Sequence, residues 1–272
     1  FVGDVDYVSD FSNYEWGVLD FPLFFQAREV FAHDASFTTV KSIFDQDSKY
    51  NDVNHLVTFI DNHDRDRFLC LADDNYQKLR LALTFIFTVR GIPDVYYGTE
   101  QNCYGGGVPT EWAGIANKEN REVMPGFDED GITFKYIQRL TELRKEYACL
   151  QTGTQREMWA EDNIYAFSRR DDSNGQEIIS VFNNGTSNET RAIPLRAESS
   201  LAVGTTLTNL LDTSVTATVE AGGITGKVLN LTIPAKTAWV FTSDNVADYA
   251  PPARTVTTIR VHYDVGLGNT MY

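Results

Sequence analysis

Near Gln151 the texture of this 272-residue chain changes, and that change limits its fold more than any single motif does. Before it, short apolar runs alternate with amphipathic stretches; after it come short β-rich runs separated by turn residues. An order of strand, helix, strand, helix implies parallel β/α architecture, whereas strands joined by tight turns imply an antiparallel sheet. The expected fold class is therefore α/β over residues 1–150, followed by an antiparallel all-β domain over residues 151–247. Residues 248–272 read as a linker, Tyr249-Ala250-Pro251-Pro252-Ala253, and the start of a further β module in which Thr255–Tyr263 alternates as one strand.

In the first region Gly17–Leu23 reads as a buried strand, followed by helical stretches around Phe24–Phe31 and Phe37–Phe44. His55–Ile60 is a second strand and runs straight into Asp61-Asn62-His63-Asp64. Asp73-Asp74-Asn75 then supplies capping residues for a long helix to Arg90, which Gly91 and Pro93 stop. Asp94–Gly98 is a third strand, and Ile132–Leu150 a second strong helix. Between them, Thr99–Asp130 is a loop long enough to suggest function. Its glycines Gly105, Gly106 and Gly107 suit either close approach of backbone to a ligand or a flexible tip. The β-rich runs of the second region are Glu157–Trp159, Ile164–Arg169, Glu177–Phe182, Leu207–Leu211, Val228–Ile233 and Thr237–Phe241.

Composition narrows the partners. Lys and Arg number 23 against 38 Asp and Glu, a formal net charge of -15, which repels phosphates and anionic lipids. The longest apolar run, Leu81–Val89, is broken by threonines and falls short of a membrane span. Neither nucleic acid nor membrane is expected as a partner. Three scattered cysteines with no C-x-x-C spacing argue against a thiolate metal site, and no metal-ligating residues are assigned. Sequons at Asn184, Asn188 and Asn230 suit a secreted glycoprotein.

The informative string is Thr58-Phe59-Ile60-Asp61-Asn62-His63-Asp64-Arg65-Asp66-Arg67-Phe68. An apolar strand that delivers these groups at its C-terminal end places them where β/α barrels carry catalysis. Carboxylate and imidazole can grip vicinal hydroxyls, and a carboxylate stabilises an oxocarbenium-like transition state. A capped, solvated loop whose charges satisfy one another is the other reading of the same residues.

Phe59-Ile60-Asp61-Asn62-His63-Asp64, followed by Arg67-Phe68, resembles the fourth signature region of the α-amylase family, glycoside hydrolase family 13, which also contains the cyclodextrin glucanotransferases. Gly17–Leu23 is similar to that family's sixth barrel strand, Gly91–Gln101 to its eighth, and Asn120-Arg121 to its substrate-binding loop. The resemblance implies the last part of a (β/α)8 TIM barrel followed by an antiparallel β-sandwich. It further implies a retaining α-glucan glycosidase of the α-amylase type, cleaving α-1,4 bonds of starch and maltooligosaccharides. Asp64 matches the catalytic acid that stabilises the transition state, His63 a histidine binding the same sugar, and Arg121 an arginine at the next sugar. The loop departs from the family pattern at Val108, which follows Gly107 where an Asp is usual.

The family's nucleophilic Asp lies in a Gly-x-Arg-x-Asp string that this chain does not contain. Its acid/base Glu directly precedes a stretch like Phe1-Val2-Gly3-Asp4, so both acids are expected in an N-terminal half of the barrel outside this sequence. That half is an expected partner, and calcium an expected cofactor whose ligands lie there. Cys70 and Cys103 follow the seventh and eighth strands and form either a disulfide or two buried thiols. Trp112 is placed either to stack on a glucose ring or to pack against a loop, while Tyr97 and Glu100 end the eighth strand. A transglycosylase of the same family and a catalytically silent glucan-binding relative are the alternatives to a hydrolase.

Overall fold

In the computed structural model, which describes residues 3–105 and 119–252, helix α1 (Val5–Ser12) opens on Asp4, whose carboxylate accepts the Tyr7 amide. The strand expected over Gly17–Leu23 is cut short. Asp20 accepts the Leu23 amide at 3.1 Å and Pro22 sits in the first turn, so the chain turns helical at once as α2 (Phe21–His33). Only Leu19 keeps strand pairing, as an isolated parallel bridge to Val57. There follow α3 (Thr38–Phe44), β1 (Val57–Thr58), α4 (Phe68–Leu71), α5 (Tyr76–Thr88), β2 (Ile92–Pro93), α6 (Ile132–Glu146) and α7 (Ala148–Thr152). Asn75 caps α5 by accepting the Gln77 and Lys78 amides. The single helix expected over Ile132–Leu150 breaks at the buried Tyr147, whose backbone is extended.

Three parallel rows result: Leu19 beside Val57, and β1 beside β2 with Val57 opposite Ile92 and Thr58 opposite Pro93. The third row therefore lies before Asp94–Gly98, the stretch expected to form it. Gly91, at φ +98°, brings the chain against the Leu56 carbonyl, where a Cβ would sit 2.5 Å from that oxygen. After Asp94 the backbone leaves the sheet, and the Tyr97 carbonyl accepts from the Arg67 guanidinium at 2.5 Å.

Beyond α7 come β3 (Thr154–Ala160), β4 (Ile164–Arg170), β5 (Glu177–Asn183), β6 (Glu189–Pro194), β7 (Thr206–Asn209), β8 (Thr216–Thr218), β9 (Glu220–Ala221), β10 (Lys227–Ile233) and β11 (Thr237–Thr242). They make an antiparallel six-stranded sheet ordered β3-β4-β5-β11-β7-β8 and a three-stranded sheet ordered β6-β10-β9. Every β-rich run singled out in the sequence touches one of these strands. Strands β6, β8 and β9 carry too little apolar alternation to stand out.

Strand β4 shows why the layers stack. Ile164 and Ala166 point into one apolar cluster with Leu229, Leu231 and Phe241, whereas Tyr165 and Phe167 point into another with Phe31, Phe37 and Phe85. The six-stranded sheet is thus buried on both faces, between the helices of the first region and the three-stranded sheet. Phe167 and Phe182 stack at 6.1 Å on the helical side, and Phe85 meets Phe182 edge-on at 5.8 Å. Arg169 is buried at this seam, donating to the carbonyls of Gly153 and Thr88, and burial lowers its pKa to about 9.

No disulfide joins Cys70 to Cys103; these and Cys149 are buried thiols. The Cys103 thiol faces Glu122, and burial followed by that carboxylate raises its pKa to about 12, while Cys70 interacts with Tyr104. The sequon at Asn184 is closed to a glycan, since its side chain is buried and donates to the Val30 carbonyl. Asn188 and Asn230 are exposed. The stretch read as a linker packs at its start: Tyr249 and Thr213 share three hydrogen bonds, and Arg139 lies 4.5 Å from the Tyr249 ring centroid. Trp112, Val108, Gly106, Gly107, His262 and the strand expected over 255–263 lie outside the described residues. Among those described, no helix is long and apolar enough to cross a membrane.

Candidate active site

A two-residue strand that empties into Asp61-Asn62-His63-Asp64 leaves backbone carbonyls with no ladder to accept, so other groups must satisfy them. Asp61 anchors the start of the turn. It is buried, its carboxylate accepts the Phe68 amide at 3.2 Å and the Thr99 hydroxyl at 3.1 Å, and so it ties β1 to α4 and to the chain after β2. Burial pushes its carboxyl up, opposed by Arg67, the Phe68 amide, Thr99 and Arg28.

Arg67 is fully buried beneath the loop. Its guanidinium lies 4.3 Å from the Tyr96 ring centroid and 4.9 Å from that of Tyr97, with the Glu122 carboxylate at 3.9 Å. Glu122 accepts the Gly105 amide at 3.0 Å, and the Tyr97 hydroxyl donates to the Glu122 carbonyl at 2.8 Å. Arg28 lies under the same loop, where burial lowers its pKa to about 10 against the attraction of Asp66 and Asp61.

Above this base the functional candidates converge. The Asp64 amide donates to Asn62 Oδ1 at 2.9 Å, a local turn that aims the Asp64 side chain. Arg121 Nη2 lies 3.0 Å from Asp64 Oδ1, and His63 Nε2 lies 3.2 Å from Asp64 Oδ2. Arg121 also donates through Nε to the His63 carbonyl at 2.9 Å. Asp64, His63 and Arg121 therefore share one spot at the C-terminal end of β1, with the Asp64 side chain 24% exposed, His63 62% and Arg121 41%. Fifty-seven residues separate Asp64 from Arg121 in sequence, so only the fold unites them.

Chemically, the cluster offers a carboxylate open to solvent, an imidazole beside one oxygen and a forked cation beside the other. Such a set can take vicinal hydroxyls in place of its mutual contacts. Tyr97 is exposed and belongs to the rim, while Glu100 is half-buried and makes no described contact with the three. Sequence reading passed over Glu122, Arg28 and the role of Asn120, which follow no periodicity that marks them. Away from the site, Trp159 and Trp239 are half-buried against the apolar cluster between the two sheets. His55 stacks on Trp16 at 4.2 Å. No group of three or more His, Cys, Asp or Glu among the described residues could hold a metal ion.

Residues 13–130 match the family of the alpha-amylase catalytic domain. A beta/alpha-amylase of Paenibacillus polymyxa is 37% identical over 249 residues, which are 89% of this chain and 19% of that protein. The crystal structure of CldA, a cyclomaltodextrin glucanotransferase, superposes with a TM-score of 0.75 at 32% identity, covering 89% of this chain and 47% of CldA. An alpha-amylase from Geobacillus thermoleovorans, solved with acarbose, does so with a TM-score of 0.73 at 25% identity, covering 89% of this chain and 51% of that one. The chain thus spans about half of these structures and about a fifth of the longer relative.

Proposed function

The chain belongs to the α-amylase family, and from that premise we propose that it forms part of a retaining glycosidase cleaving α-1,4 bonds of starch-like glucans. The observation that carries this reading is the convergence of His63, Asp64 and Arg121 on one exposed spot at a strand end. In this role the Asp64 carboxylate faces the sugar at the cleavage point, holds its 2- and 3-hydroxyls and stabilises the positive charge that develops on the ring. His63 binds the same sugar from the Oδ2 side. Arg121 reaches the next sugar while its Nε stays on the His63 carbonyl. Retaining chemistry needs a nucleophile and an acid about 5–5.5 Å apart, and these come from residues outside this stretch.

The same proposal reads the three parallel rows as the closing strands of a (β/α)8 barrel whose other strands lie outside the sequence, and the sheets beyond residue 151 as its β-sandwich domain. It includes secretion. It also includes calcium, with ligands in the N-terminal half outside this sequence, and no step depends on it here. A glucan transferase is the second reading, favoured by the 32% identity to a cyclomaltodextrin glucanotransferase over 89% of the chain. The two differ only in whether water or a sugar hydroxyl takes the glycosyl group.

The test is a reducing-sugar assay on soluble starch with the intact polypeptide, comparing wild type with Asp64→Asn. We expect the variant to lose about 100- to 1,000-fold in kcat, as when a transition-state contact is removed. Starch left untouched by the wild type would sink the proposal. Cyclic or transferred products, with little free reducing sugar, would favour the transferase.

A further inference from the structure

Asn120 sits immediately before Arg121 and is 1% exposed, with no sugar-facing surface. Its Nδ2 donates to the Asn62 carbonyl at 3.0 Å and to the Arg65 carbonyl at 2.7 Å. Arg121 adds Nε to the His63 carbonyl at 2.9 Å and Nη2 to Asp64 Oδ1 at 3.0 Å. Two adjacent residues thereby hold one atom of each of four consecutive residues, 62 to 65. Both acceptors facing Asn120 are carbonyls, so only the amino side of a carboxamide can fill the position; a carboxylate of the same shape would repel them.

Strand β1 ends at Thr58, the Asp64 amide bonds within the turn, and the Arg65 amide makes a long bond of 3.4 Å to the Asn62 carbonyl. The Asn62 and Arg65 carbonyls bracket His63 and Asp64. Fixing both ends of that bracket from one rigid side chain sets the direction in which the Asp64 carboxylate points.

Resting on the proposed glycosidase role of Asp64, we infer that Asn120 is a positioning residue for catalysis: it touches no substrate and acts by holding the 62–65 turn so that Asp64 meets the reacting sugar. Misplacement of a catalytic group by about 1 Å costs on the order of 100-fold, so the effect belongs in kcat rather than in ground-state binding.

The experiment compares wild type, Asn120→Ala and Asn120→Asp in the intact polypeptide, measuring kcat and KM on maltooligosaccharides, affinity for acarbose, and melting temperature. Rates are normalised to the folded fraction. We expect kcat to fall at least about tenfold in Asn120→Ala and further in Asn120→Asp. KM should stay within about twofold, and acarbose affinity should weaken in step with kcat, as for a mimic of the transition state. A merely structural role predicts a lower melting temperature with kcat per folded molecule and acarbose affinity unchanged, and that result overturns the inference. An active wild type with unaffected variants overturns the inference alone. A wild type inert on maltooligosaccharides overturns the glycosidase reading and the inference with it.

Discussion

The two regions of this molecule solve the same backbone problem in opposite ways. In the antiparallel part, strands of up to seven residues pair along their length, so ladders satisfy the peptide groups and leave the side chains free to pack. In the β/α part the strands are two residues long, and Leu19 and Ile92 at the outer rows are 48% and 36% exposed. There the carbonyls beyond the strand ends go to side chains: Arg67 takes Tyr97, Asn120 takes Asn62 and Arg65, and Arg121 takes His63. Where ladders stop, side chains with chemistry are drawn in to replace them. The part poorest in regular sheet is consequently the part that carries the candidate site.

That contrast predicts where damage shows. The largest effect is expected at the shared core: Phe182→Ala removes a fully buried ring from the seam and should cost about 3–5 kcal/mol in urea unfolding. Activity at permissive temperature should survive it. A loss of activity without a loss of stability would break the separation between the regions. Next comes the Asp64→Asn loss of turnover described above, which should leave the melting temperature nearly unchanged, because the side chain is partly exposed and its ion pairs are with the exposed His63 and Arg121.

Arg121→Lys sharpens the contrast within the site. Lysine keeps the charge but not the fork that reaches the His63 carbonyl and Asp64 together, so kcat/KM should fall about tenfold with stability held. An unaffected kcat/KM would show that charge alone suffices there.

The smallest effect probes the seam. Asp34, which ends α2 in a left-handed conformation, pairs with Lys78 of α5 and with Lys236 at the turn before β11. Burial pushes its carboxyl up, but hydrogen bonds from Lys236 and Lys78 outweigh that and hold it below the ordinary 3.8. A depressed value means the pairing stabilises the fold fully above pH 3.8 and is lost as pH falls through the folded-state value. Asp34 is 45% exposed, so Asp34→Asn should cost no more than about 0.5–1 kcal/mol at pH 7, and the gap should close in acid. A gap independent of pH would assign the effect to the α2 terminus rather than to the ion pairs.

Legibility in the sequence followed the range of the interactions. Helices capped locally were readable: Asn75 precedes α5, whose apolar face repeats at helical spacing. Turn-bounded strands such as β4, β5, β10 and β11 were readable for the same reason, since alternation and turn residues are both local. Gly17–Leu23 misled because its apolar run suits a strand, while Asp20 and Pro22 suit a helix start and prevailed. At the site, Asp64 and His63 stood out through their string, and Arg121 through a resemblance. Asn120 and Glu122 did not, because their roles exist only against residues far away in the chain.

By itself, then, the sequence determined the change from helices to short strands near Gln151, the acidic balance and the polar string after β1, none of which needs knowledge of the packing. Only the tertiary structure decided that Cys70 and Cys103 face Tyr104 and Glu122 instead of each other, and that the Asn184 sequon is buried under α2. It alone brought Asn120 and Arg121 onto the Asp64 turn. The physical reason is that such pairings depend on how helices and sheets pack in three dimensions, and local periodicity does not encode that geometry.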